Sequence, residues 1–241
     1  MRNGRCVIIY SADMNKVLLL ILLSVGAQQV LARTDITAVY SGDITRENNR
    51  LFLLSVEAQS VSSLEISSGG GEVDAAIELG YWIHAHEIDV VVTDYCLSSC
   101  ANYIFPAGKE KIIRQGAVVA WHGNYRHLLE TGLWRDEIPV RMSKFGEDRN
   151  TATHRIQMQV HRLVALEDAF FRVINLNGYI CWFGKMAPYQ VPDFYSLSRE
   201  DMARFGLKGV HVPVDYEKTD LNNFSVDIRF IRTETADKQT H

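Results

Sequence analysis

Positive charge, long apolar runs and cysteine are all scarce in this 241-residue sequence, and each shortage removes a class of function. Lys and Arg number 25 against 29 Asp and Glu, a formal net charge of -4. Proteins that neutralise phosphate backbones carry clustered positive charge, so nucleic acid is not an expected partner. The longest uninterrupted apolar run, Val17–Leu23, falls far short of the ~20 residues that span a bilayer. Only an uncleaved leader would tie the chain to a membrane. The cysteines are Cys6, Cys96, Cys100 and Cys181, and no second Cys/His pair at finger spacing follows the Cys-x3-Cys pair. A structural zinc site needs four ligands, so neither metal nor any other cofactor is expected. Internal repeats, low-complexity blocks and an ATPase signature are also missing. What remains, 47% hydrophobic and 22% charged residues, is the usage of one ordinary globular domain.

The first part of the chain departs from that average. Met14-Asn15-Lys16 is a cationic start to the apolar run, and Val30-Leu31-Ala32 suits a signal peptidase cut before Arg33. The expected organisation is a signal peptide over 1–32, with Met14 an alternative translation start, a domain over 33–215 and a polar tail over 216–241. The location that follows is periplasmic or secreted. Export removes Cys6 and leaves a close pair and a singleton in an oxidising compartment. A Cys96–Cys100 disulfide is therefore predicted, stiffening the turn between its ends.

Along the domain, Ile36–Tyr40 is β-branched and apolar and stops at Ser41-Gly42-Asp43, predicting a strand that enters a turn. Leu51, Leu54 and Ala58 then recur at three-and-four spacing, predicting a helix over 47–58 with that stripe buried. A short strand over Ser63–Ile66 ends in Ser67-Ser68-Gly69-Gly70-Gly71. From Val73 a second helix is predicted, with Val73, Ala76, Ile77, Gly80, Tyr81 and His84 facing a sheet. Ile88–Thr93 and Ala117–Trp121 are nearly continuous apolar runs, the pattern of parallel strands covered on both faces. Alternating strands and helices give an α/β fold with crossover connections. Residues 124 to 146 lack a period and are expected to form a mobile lid or interface segment. A long helix from about Thr151 to Asn175 and an N-capped one over Ser198–Phe205 complete the reading.

Three features fall at the ends of the predicted core strands, where α/β sheets build their sites. They are the glycine run Gly69-Gly70-Gly71, the turn Cys96-Leu97-Ser98-Ser99-Cys100-Ala101, and Trp121-His122-Gly123. Glycines there let backbone N–H groups point unobstructed into a crevice, as an oxyanion hole requires. Each feature has a plain structural reading as well: a turn, an N-cap serine, a satisfied core histidine. Their joint order is what points to chemistry. His84, His86, His154 and His161 are read as surface or packing residues, and the aromatics Tyr179, Trp182, Phe183, Tyr189, Phe194 and Tyr195 as a core or subunit contact before a substrate groove.

That order resembles the Clp-protease and crotonase-like superfamily. Ile66–Val73 is similar to the glycine segment of the Clp proteolytic subunit, and Ser99-Cys100-Ala101 with Phe105-Pro106-Ala107-Gly108 to its nucleophile turn and helix end. Val118–His122 is similar to the strand that delivers its histidine, and Asp193–Ser198 to its Asp-x-x-Leu-Ser segment with one extra residue. The resemblance implies a spiral of ββα units with a parallel sheet in a single domain, and a serine peptidase-like hydrolase acting on a peptide or another acyl substrate. Aligned from Ala107-Gly108 the nucleophile is Ser99; aligned on Cys100 as the family's glycine it is Ser98, and Ser99 is favoured. His122 would be the base, Asp193 the acid residue with Asp168 or Asp201 as substitutes, and the Gly70 and Cys100 N–H groups the oxyanion hole. Relatives assemble as rings or trimers, implying a homo-oligomer. Cysteines beside the nucleophile turn and the displaced aspartate keep open a catalytically inactive crotonase-fold binding or assembly protein, and an acyl-CoA enzyme is a third reading.

Overall fold

The computed structural model describes residues 35–135 and 148–233. The expected leader with Cys6, the centre of the expected lid and the last residues of the expected tail lie outside these. Strand β1 (Asp35–Ser41) leads through α1 (Arg46–Val56) to β2 (Ser60–Ser68), and α2 (Val73–Ala85) leads to β3 (Asp89–Leu97). Then come β4 (Lys111–Ile113), β5 (Val118–Ala120), α3 (Tyr125–Thr131) and α4 (Arg149–Val173). The last elements are β6 (Phe194–Leu197), α5 (Arg199–Arg204), β7 (Val210–His211) and β8 (Ile228–Ile231).

Every strand ladder among these is parallel, so the protein is an α/β fold on a parallel sheet. The main sheet runs β1-β2-β3-β4-β7, and β5 joins it on β3. Strand β3 is long enough to serve two neighbours: Val90–Val92 pair with β4, and Tyr95–Leu97 pair with β5. The core lies between this sheet and the helices, with Leu64, Ile66, Val90, Val92, Ile77 and Ile83 inside it. Tyr95, Leu97, Val118, Ala120, Phe194 and Ile228 gather in a second, smaller apolar cluster.

Local chemistry accounts for the element boundaries. Thr45, Asn124, Asp148 and Ser198 cap α1, α3, α4 and α5, each accepting a backbone N–H of the first turn through its side chain. In α2, Gly80 is required by its neighbours: a Cβ there would stand 2.6 Å from the Tyr103 carbonyl and 2.9 Å from the Phe170 ring.

Three expectations are corrected. The buried face of α1 carries Asn49, Phe52 and Val56, while Leu51 and Leu54 are 52% and 56% exposed. Asn49 is satisfied inside, accepting from Tyr40 Oη and donating to the Ala75 carbonyl, both at 2.8 Å. His84, expected on the packed face of α2, is exposed. The first residues of the expected lid, which lack a period in sequence, form the helix α3, capped by Asn124. The expected polar tail supplies Tyr216, buried and hydrogen-bonded to Ser196, and the strand β8 that pairs with β6.

Candidate active site

The site forms where β2, β3 and β5 end. Strand β3 runs straight into the turn at Ser98, whose φ of 55° lies in the left-handed region that a side chain disfavours. Several restraints hold it there. Ser98 N–H donates to the Ala120 carbonyl at 3.2 Å, and its own carbonyl accepts from Asn102 N–H at 2.9 Å. A disulfide joins Cys96 to Cys100, one side of the turn to the other. Gly70 packs beneath, with a φ of 96° and so little room that a Cβ would lie 2.8 Å from Ser99 N and 2.9 Å from both Leu97 O and Ser98 Cβ.

His122 is aimed at this turn by anchors on both sides. Trp121 exchanges two backbone hydrogen bonds with Tyr195, at 2.8 and 2.9 Å, and its indole N–H donates to the Ala101 carbonyl. Gly123 N–H donates to the Cys181 carbonyl at 2.9 Å, and the Gly123 carbonyl accepts from Asn102 Nδ2 at 3.0 Å. Between them the His122 ring stacks on Phe194, centroids 4.4 Å apart, and Nε2 lies 2.7 Å from Ser98 Oγ. Although the His122 side chain is exposed on one side, desolvation lowers the imidazole pKa, Lys185 lowers it further, and Asp193 works the other way. The resting ring is therefore neutral at neutral pH, the state in which Nε2 can accept the serine proton.

The two serines are sorted by their partners. Ser98 Oγ meets His122, whereas Ser99 is buried and its hydroxyl donates to the Gly71 carbonyl at 2.9 Å. The expected preference for Ser99 beside the histidine is thus corrected, because the helical φ of -60° at Ser99 turns its side chain inward. The N–H of Gly70 donates to the buried Ser68 hydroxyl at 3.1 Å, and the absence of a side chain at Gly70 leaves room for the turn. The Ser99 and Cys100 N–H groups open the following helical turn and find no acceptor among the described residues.

Asp193 is close enough to His122 to act on its charge, yet its carboxylate accepts from Asp227 N–H at 3.1 Å and makes no hydrogen bond to the ring among the described residues. The substitutes are engaged elsewhere: Asp168 pairs with Arg126, and Asp201 accepts from Ser198 and Thr233. Lys185 is fixed beside the site by donating to the Pro192 and Asp193 carbonyls at 2.9 and 3.1 Å. Neither Lys185 nor Phe194 stands out in the sequence as a neighbour of the histidine. Nor does Glu167, fully buried in α4, which accepts from Tyr103 Oη and from the Tyr125 and Arg126 N–H groups. Burial raises its carboxyl pKa, and its bonds tie α4 to α3 and to the helical turn after Ser98.

Most of the late aromatic cluster packs on itself. Tyr179 meets Trp182 and Phe183 edge-on, and Phe183 meets Phe205 in the same way. Among the described residues no helix is long and apolar enough to cross a membrane, and no three His, Cys, Asp or Glu side chains converge as a metal site.

No family model matches the sequence, and no curated protein does. Among solved structures, ClpP1 from Listeria monocytogenes is similar at 20% identity over 49% of this chain and 76% of that one, with a TM-score of 0.30. The chemistry open to this site rests on its own residues.

Proposed function

We propose that this protein is a serine hydrolase that transfers the acyl group of a peptide or another acyl substrate to water, with Ser98 as nucleophile. The observation that carries the reading is the 2.7 Å approach of Ser98 Oγ to His122 Nε2. Ser98 Oγ attacks the carbonyl carbon as its proton passes to Nε2, and the oxyanion is met by the unengaged N–H groups of Ser99 and Cys100. His122 then hands the proton to the leaving group. Water repeats the sequence on the acyl-enzyme, freeing the acid and restoring Ser98. Asp193 favours the transient imidazolium through space, without the direct hydrogen bond of a full triad.

Reaction with a fluorophosphonate probe tests this. Label on Ser98, lost in Ser98→Ala and retained in Ser99→Ala, is the expected result; label on Ser99, or none between about pH 5 and 9, the range that brackets histidine titration, overturns it. The engagement of Asp193 with Asp227 favours a second reading, a catalytically inactive binding or assembly protein, and the unlabelled outcome would support it. The spiral of ββα units, export with cleavage before Arg33, and a homo-oligomer using residues 124 to 175 belong to the same proposal. N-terminal sequencing of the exported protein and light scattering of the purified one test the last two.

A further inference from the structure

A cavity of about 570 Å³ is lined by two residues that flank the Ser98–His122 pair, Leu97 and Phe194. Leu97 directly precedes Ser98, and the Phe194 ring that lines the cavity is the one stacked on His122. Tyr95 and Phe224, edge-on to each other at 6.5 Å, supply further apolar surface. The charged groups lining it are Asp94 and Asp220, with no Lys, Arg or His. Asp220 already accepts from Asn222 and Asn223. Asp94 is exposed and makes no hydrogen bond or ion pair among the described residues, so its carboxylate is open to a ligand. Apolar walls ending in carboxylates match a side chain with an apolar stem and a cationic head.

Resting on the Ser98–His122 reading, we propose that this cavity selects the side chain beside the scissile carbonyl and that the substrate class is a peptide with lysine or arginine at that position. The stem lies between Tyr95, Phe194 and Phe224, and the head reaches Asp94 at the rim. Acidic side chains are turned away by the same carboxylates.

The test separates recognition from catalysis. Four peptides, acetyl-Ala-Ala-Ala-X-amide with X as arginine, lysine, norleucine or glutamate, are titrated into the full chain carrying Ser98→Ala. Arginine and lysine peptides should bind about fivefold more tightly than norleucine, the size of one partly exposed ion pair, with glutamate weakest. Adding Asp94→Asn should remove the preference for arginine over norleucine. Norleucine binding as well as arginine, a preference untouched by Asp94→Asn, or no binding of any peptide overturns the inference. Failure here with wild-type Ser98 still labelled by fluorophosphonate leaves the hydrolase reading standing; a basic preference in a protein that does not label removes the hydrolase and keeps the binding site.

Discussion

Gly42 and Gly70 form a matched pair of probes. Their φ angles are 97° and 96°, so alanine meets the same left-handed strain at both, about 1–2 kcal/mol. Their surroundings differ. A Cβ on Gly42 has nothing within 4 Å, whereas one on Gly70 meets Ser99 N, Leu97 O and Ser98 Cβ at 2.8–2.9 Å. Two of those neighbours are backbone atoms in a turn closed by a disulfide, so they cannot swing aside. Overpacking of that kind adds about 1–3 kcal/mol. Gly42→Ala should therefore lose about 1–2 kcal/mol in urea denaturation and Gly70→Ala about 2–5. Any shift of the turn also displaces Ser98 Oγ from His122, so Gly70→Ala should label with fluorophosphonate at least about a hundredfold more slowly, while Gly42→Ala labels normally. Equal stability losses, or normal labelling of Gly70→Ala, would refute the close packing of the glycine segment under the nucleophile turn.

Other consequences follow from the same geometry. The acid limb of the labelling rate reports His122: activity needs the neutral ring, so the rate falls as pH drops through its lowered pKa. Lys185→Met removes a cation and should move that limb to higher pH, while Asp193→Asn removes the opposing carboxylate and should move it lower; shifts in the same direction contradict the charge assignment. Converting Cys96 and Cys100 together to serine opens a loop of sequence separation 4, for which the chain-entropy model gives about 2 kcal/mol. Labelling should slow as well, and a normal rate would show that the disulfide does not position Ser98. Glu167→Ala strips one hydroxyl and two N–H groups of their buried acceptor, a loss of about 3 kcal/mol by thermal or urea unfolding; a change under about 1 kcal/mol means those groups find other partners.

The sheet was largely legible because its strands carry the signal in their own residues. Val90–Val92 and Val118–Ala120 are apolar runs that need two covered faces. Strands β4, β6, β7 and β8 have no counterpart in the sequence, because Lys111–Ile113, Phe194–Leu197, Val210–His211 and Ile228–Ile231 are too short for a period to show. The buried face of α1 departs from hydropathy for another reason: hydropathy ranks Leu51 above Asn49, but Asn49 finds Tyr40 and Ala75 in space and a satisfied polar group buries at little loss. The same limit governs the site. Sequence order brought Gly70, Ser98 or Ser99, and His122 together, yet only backbone conformation separates two adjacent serines. Lys185, Phe194 and Glu167 reach the site through contacts dozens of residues apart, which no local pattern encodes.

The backbone itself offers a way to read which serine is held for chemistry. Ordinarily glycine is worse than alanine by about 1 kcal/mol, because it releases more backbone freedom on unfolding. Ser99, at φ -60° and ψ -27°, should obey that rule, so Ser99→Ala is expected to be more stable than Ser99→Gly. At Ser98, φ 55° charges alanine about 1–2 kcal/mol that glycine escapes, and the order should invert, with Ser98→Gly more stable than Ser98→Ala by some tenths of a kcal/mol to about 1. Both replacements remove the hydroxyl, so the loss of the His122 hydrogen bond cancels between them. Four urea midpoints decide the matter, and the same order at both positions would refute the strained turn. Inversion at Ser98 alone means that the fold spends stability to present one hydroxyl to one histidine. A structural N-cap has no need of that, since Ser99 next door reaches its carbonyl acceptor from an unstrained helical backbone.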